Sequence, residues 1–230
     1  MPSQTGPEAC LLICRKPPGS VKERNAGLLA RPGIDMELLF VNCCMKPDKE
    51  SRTYHLASEF IDRFSEGNDV HVTEVALKNE TIEAIGVKSL NYRLKLIQEE
   101  AWDNRVFRYA RKFASADAIV IAAPYWDLSF PSLLKVYFEN VFVTNLTFCY
   151  EGPEAKSLCK ADKMVYITTS GGYIGDKDFG TDYVRGVADM FEIGRFDVIK
   201  AEGLDIEGID VDAVLEESVK KACETADSWK

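Results

Sequence analysis

The chain has 230 residues, 46% of them hydrophobic and 10% aromatic, enough to bury a full core as one domain with or without a tail. A formal net charge of −9 and a pI near 4.9 exclude the clustered Lys and Arg that a nucleic-acid backbone demands. No apolar run approaches the roughly 20 residues that span a bilayer, and Ala9–Cys14 is short and lacks a preceding basic segment, so a cytoplasmic protein with no membrane span is expected.

Residues 1–35 carry Pro2, Pro7, Pro17-Pro18, Gly19, Gly27 and Pro32-Gly33 among charges, with no sustained periodicity, and read as a disordered N-terminal extension. Met36 directly precedes Glu37-Leu38-Leu39-Phe40-Val41-Asn42, a first strand, so Met36 is the expected native start and 36–230 the expected folded domain. A helix begins near Ser51 with Ala57, Phe60, Ile61 and Phe64 on one face, and Val70 to Val75 alternates as a second strand, completing a βαβ unit. One long helix is expected from Leu90 to Phe113, with Leu90, Leu94, Ile97, Ala101, Trp102, Val106, Tyr109, Ala110 and Phe113 inward.

Ala118 to Ala123 is continuously apolar, as a central parallel strand covered on both faces requires. Pro131 suits a first helical turn, and Leu134, Tyr137, Phe138, Val141 and Phe142 then form one apolar face. Met164–Thr168 and Phe196–Ala201 are the fourth and fifth strands, separated by a helix around Tyr183–Phe191. A last helix from Val211 to Trp229 is started by Asp210 or Asp212 and turns Val214, Leu215 and Ala222 inward. Strands alternating with helices give an α/β doubly wound parallel sheet.

The chemistry-bearing segments sit where such strands end. Cys43 to Thr53 leads into a helix N-terminus, whose free N–H groups and dipole favour a phosphate; Ser51 and Thr53 add hydroxyls and Arg52 a charge, although Ser51 equally suits a plain helix cap. Pro124-Tyr125-Trp126-Asp127-Leu128-Ser129-Phe130-Pro131 follows the third strand at its carboxyl end, where open α/β sheets place ligands. Thr169-Ser170-Gly171-Gly172-Tyr173 ends the fourth strand with glycines that let backbone approach a planar ring. Gly171 to Gly175 lacks the GxGxxG spacing, so no dinucleotide fingerprint is present. The Cys residues at 10, 14, 43, 44, 149, 159 and 223 are odd in number and form no CxxC pair, which supports neither zinc nor a disulfide framework. Cys43-Cys44 as a redox dithiol is disfavoured because vicinal cysteines seldom bridge stably, and His55 and His71 have no obvious partner for hydrolytic chemistry.

The aromatic loop resembles that of the FMN-dependent NADH-azoreductase and NAD(P)H:quinone reductase family, which typically reads Pro-Met-Tyr/Trp-Asn-Phe-x-Ile-Pro. The resemblance continues through Leu-Thr-Phe-Cys-Tyr-Glu-Gly-Pro-Glu at 146–154, Tyr-Ile-Thr-Thr-Ser-Gly-Gly at 166–172 and Ala-Glu-Gly at 201–203, in the family's order. It implies a flavodoxin-like five-stranded sheet of order 2-1-3-4-5, FMN as cofactor, and NADH or NADPH as co-substrate. The flavin-contacting residues it implies are Cys43, Ser51, Arg52, Thr53, Pro124, Tyr125, Trp126, Asp127, Leu128, Thr169, Ser170, Gly171, Gly172 and Tyr173. Phe148 and Tyr150 are implied at the rim, against a small aromatic acceptor, and no side chain is expected to act covalently because the flavin carries the chemistry. Two-electron, ping-pong reduction of quinones or azo compounds by a homodimer is the implied activity. Asp127 stands where the family pattern has Asn. The alternatives are a flavodoxin-type electron carrier or a flavin-binding redox sensor without nucleotide turnover; the long connections at 76–89 and 145–162 favour the enzyme, since such loops build substrate sites.

Overall fold

A computed structural model describes residues 36–230, and expectations for 1–35, including Cys10 and Cys14, lie outside the described residues. The chain runs β1 (Met36–Asn42), α1 (Arg52–Ser65), β2 (Val70–Ala76), α2 (Val87–Gln98), α3 (Arg108–Ser115), β3 (Ala118–Ala122), α4 (Ser132–Val141), β4 (Phe148–Glu151), β5 (Glu154–Ser157), β6 (Lys163–Thr169), α5 (Phe179–Met190), β7 (Arg195–Ala201) and α6 (Val211–Asp227). The main sheet is parallel throughout with order β2-β1-β3-β6-β7, which is the 2-1-3-4-5 order of its five strands.

Because successive strand residues point to opposite faces, each central strand feeds two cores at once. Leu39, Val41, Ile119, Ile121, Met164 and Tyr166 pack under α3, α4 and α5. Leu38, Phe40, Val120, Val165, Ile167 and Ile199 pack under α1 and α6. All five residues of β3 are buried, which explains its unbroken apolar run.

Two expectations need correction. The single helix from Leu90 to Phe113 is two helices, broken where Glu100 takes a left-handed conformation (φ 51°). The chain restarts at Asn104, whose side chain accepts from Val106 N–H, while Arg111 Nη1 donates to Asn104 O at 2.9 Å and clamps the turn. The break also rotates α2: Leu90 and Leu94 are exposed, and Leu96 and Arg93 are buried instead. A smaller shift concerns Pro131, which caps α4 in extended conformation (ψ 139°), so the helix proper starts at Ser132. The segment around Phe148 is one arm of an antiparallel hairpin, β4 with β5, turned at Gly152 (φ 64°).

Candidate cofactor cleft

Three loops leave the carboxyl ends of β1, β3 and β6 and are tied to one another. Asn42, fully buried at the end of β1, donates from Nδ2 to Glu74 Oε1 at 2.8 Å and accepts from Cys44 N–H at 2.9 Å, turning the chain toward α1. Lys78 donates to Lys46 O at 2.9 Å and pairs with Asp48 at 2.5 Å, holding the loop's outer limb. At the helix entry Tyr54 N–H donates to Ser51 Oγ at 3.2 Å, so Ser51 does cap α1. The N–H groups of Arg52 and Thr53, ahead of that bond, have no acceptor among the described residues. Thr53 is buried, with Oγ1 2.6 Å from Thr169 Oγ1.

The loop after β3 is pinned to β6 by Ala123 N–H to Ile167 O at 3.1 Å and Tyr125 N–H to Thr169 O at 2.9 Å. Trp126 and Ser129 then exchange backbone bonds of 3.1 and 2.8 Å around Asp127 (φ 47°) and Leu128 (φ 68°), both left-handed, as the tightest two-residue turn demands. Tyr125 OH donates to Lys177 O at 3.0 Å, and Gly180 at the start of α5 is packed so closely that a Cβ would lie 3.2 Å from the Ser129 carbonyl. The loop after β6 is laddered to the segment after β7: Leu204 N–H donates to Ser170 O at 3.2 Å and Asp205 N–H to Gly171 O at 2.9 Å. Gly203 (φ 78°) leaves room there for the Tyr173 ring, 3.3 Å from where its Cβ would stand.

These loops enclose a cleft of about 220 Å³. Nine of the residues singled out in the sequence line it: Ser51, Arg52, Thr53, Pro124, Tyr125, Trp126, Thr169, Ser170 and Gly171. The others do not. Cys43 lies buried beneath the loop with its N–H on Ala122 O, and burial pushes its thiol up to about 12 and that of Cys44 to about 11, so both stay protonated and unreactive at neutral pH. Asp127 and Leu128 form the exposed tip of the aromatic turn; Gly172 and Tyr173 are exposed beside the cleft. Phe148 is buried against Phe142 and Tyr150, whereas Tyr150 is half exposed on the hairpin.

Met45, Lys46, Glu50, Leu204 and Asp205 also line the cleft and were missed. Leu204 and Asp205 follow the Ala-Glu-Gly segment at 201–203 directly, and that motif was the one signal available for them. One end of the cleft offers free helix N–H groups, hydroxyls and the Arg52 cation, a donor set suited to a phosphate. The other offers Trp126 and Pro124, suited to a flat aromatic body. The residues present therefore fit a phosphorylated planar cofactor. Among the described residues no group of three or more His, Cys, Asp or Glu could hold a metal, and no helix is long and apolar enough to cross a membrane.

Comparison with known proteins gives a match to the family described as "Flavodoxin-like fold" over residues 36–226. An FMN-dependent NADH:quinone oxidoreductase of Clostridium beijerinckii is 35% identical over 196 residues, covering 84% of this chain and 99% of that one. A second, from Clostridium acetobutylicum, is 35% identical over 197 residues, covering 83% and 98%. Among solved structures, the FMN-dependent NADH-azoreductase of Bacillus anthracis in complex with FMN superposes with a TM-score of 0.74 at 21% identity, over 84% of this chain and 99% of that one.

Proposed function

Because the chain belongs to the FMN-dependent NADH:quinone oxidoreductase family of the flavodoxin-like fold, we propose that it is an FMN enzyme that uses NADH to reduce quinones, azo compounds or related aromatic electrophiles. The observation that carries this reading is the convergence of Ser51–Thr53, Pro124–Trp126 and Thr169–Gly171 on one cleft at the carboxyl ends of three adjacent strands. FMN, once bound, supplies the hydride transfer. The α1 N-terminus with Arg52, Ser51 and Thr53 would hold its phosphate. Pro124, Tyr125 and Trp126 would cover the ring and exclude water. Cys43, Asp127, Leu128, Gly172 and Tyr173 are proposed to border the bound cofactor rather than line the cleft, and Phe148 and Tyr150 to form the acceptor rim.

Nicotinamide and acceptor would use one face in turn, so the kinetics should be ping-pong. The relatives are named as NADH enzymes and are matched over nearly their whole length, which favours turnover over the electron-carrier reading. A cytoplasmic homodimer with its folded domain at 36–230 completes the proposal. The test is steady-state NADH oxidation by FMN-reconstituted protein with a soluble benzoquinone. Parallel double-reciprocal lines are expected; a reconstituted flavoprotein that leaves NADH unoxidised overturns the enzyme reading.

A further inference from the structure

Arg52 reaches across the mouth of the cleft. Its Nη1 donates to Leu204 O at 3.2 Å and to Asp205 Oδ1 at 2.9 Å, tying the first turn of α1 to the segment after β7. Its Nε and Nη2 take no acceptor among the described residues. The Asp205 carboxylate also lies against Gly171, where a Cβ would come within 2.4 Å of Oδ2, so an anionic group is seated in the cleft itself. The other charges lining the cleft are Lys46 and Glu50, while nearby Asp48 is engaged by Lys78. The cation best placed for a phosphate is thus already compensated by a carboxylate.

We propose that Asp205 is a latch on the phosphate end: it competes with the cofactor's phosphate for Arg52 and so sets how tightly, and how selectively, a phosphorylated flavin is held. The inference rests on the FMN reading above and concerns affinity, not cofactor identity. Both partners are substantially exposed, at 41% and 71% of their side-chain surface, so the pair itself is weak and readily exchanged. A phosphate monoester carries nearly twice the charge of a carboxylate and three acceptor oxygens, which favours exchange of Asp205 for it on Arg52. Whatever the Arg52–Asp205 pair contributes in the free protein is subtracted from phosphate binding. Asp205→Asn keeps the shape and removes the charge.

The experiment is titration of flavin-stripped protein with FMN and with riboflavin, followed by flavin fluorescence. At low salt Asp205→Asn should bind FMN about fivefold more tightly, the size of an exposed charge-pair interaction. Riboflavin, which has no phosphate, should bind equally to both. The FMN gain should shrink in about 1 M salt, where screening acts within roughly 3 Å. Asp205→Ser should move FMN affinity in the same direction. Unchanged or weaker FMN binding in the variants overturns the latch, the latter outcome meaning that Asp205 instead positions Arg52. Equal tightening of riboflavin overturns it too, by placing the effect on ring packing. Wild-type protein that binds neither flavin refutes the FMN reading and the latch with it; wild-type protein that binds FMN with no change in the variants refutes the latch alone.

Discussion

The hydroxyls proposed to hold the phosphate already have partners within the protein: Ser51 Oγ accepts the Tyr54 N–H and Thr53 Oγ1 meets Thr169 Oγ1 at 2.6 Å. A Ser51→Ala, Thr53→Ala pair should weaken FMN binding by about 1–3 kcal/mol, because hydroxyl bonds to a charged group are lost. Titration decides, and unchanged affinity would move the phosphate elsewhere. Leu128 raises the opposite question, because it sits at φ 68° and is half exposed, so its strain is not offset by deep burial. Left-handed backbone costs a branched residue about 1–2 kcal/mol, and Asn tolerates it. Leu128→Asn should therefore raise apo-protein stability by about 0.5–1 kcal/mol in urea unfolding, and on the proposal that Leu128 borders the cofactor it should also loosen FMN. A net loss of stability would mean that the leucine's packing outweighs its strain. Hydroxyls before a helix and aromatics after a buried strand were legible because each carries its meaning in a few adjacent residues. Leu204 and Asp205 were not, because their place depends on pairing with Ser170 and Gly171 more than 30 positions earlier.

At the level of elements, strands were easier to recognise than helix phases. A central strand buried on both faces is apolar whatever its partners, so β1, β3 and β6 announce themselves. The stretch from Leu90 to Phe113 keeps helical spacing straight through a break, and only the tertiary clamp of Arg111 on the 102–104 turn reveals it. The apolar side chains of α2 then face two ways, Leu96 inward and Leu90 and Leu94 outward, which no single periodicity describes. The junction between α5 and the aromatic turn is equally invisible in sequence, yet it fixes the turn. A Cβ at Gly180 would stand 3.2 Å from the Ser129 carbonyl, and that backbone is locked by the two Trp126–Ser129 bonds. Gly180→Ala should thus cost about 1–3 kcal/mol, as overpacking against groups that cannot yield does, and should shift Trp126 fluorescence. Full stability with an unmoved emission maximum would show that the turn can slide off α5.

Across the whole molecule, two helix layers share one sheet, and the layer formed by α1 and α6 is closed by residues at the chain's end. The family match stops at 226, but Trp229 is 1% exposed. Its ring meets Phe60 edge-on at 4.9 Å and Phe64 at 5.8 Å, joining α1 to the end of α6. Its Nε1 donates to Asp197 Oδ2 at 2.7 Å, and its carbonyl accepts from Lys163 Nζ at 2.8 Å, which anchors the same residue to β7 and β6. Arg195 completes the clasp by donating to Ser228 O at 2.7 Å. The inward face of the last helix was readable from its spacing, but nothing local points to the place of Trp229, because its aromatic partners lie more than 160 positions away. Removing the ring leaves a cavity between two helices and an Asp197 acceptor with one donor fewer. Trp229→Ala should lower unfolding free energy by about 3–5 kcal/mol, the range for deleting a buried aromatic. Because the cofactor cleft lies at the strands' carboxyl ends, whereas Lys163 and Arg195 open β6 and β7, FMN affinity measured below the unfolding transition should stay near that of the intact chain. A loss below about 1 kcal/mol would show that the clasp frays independently of the domain, and a parallel collapse of FMN affinity would show that the two ends of the sheet are coupled.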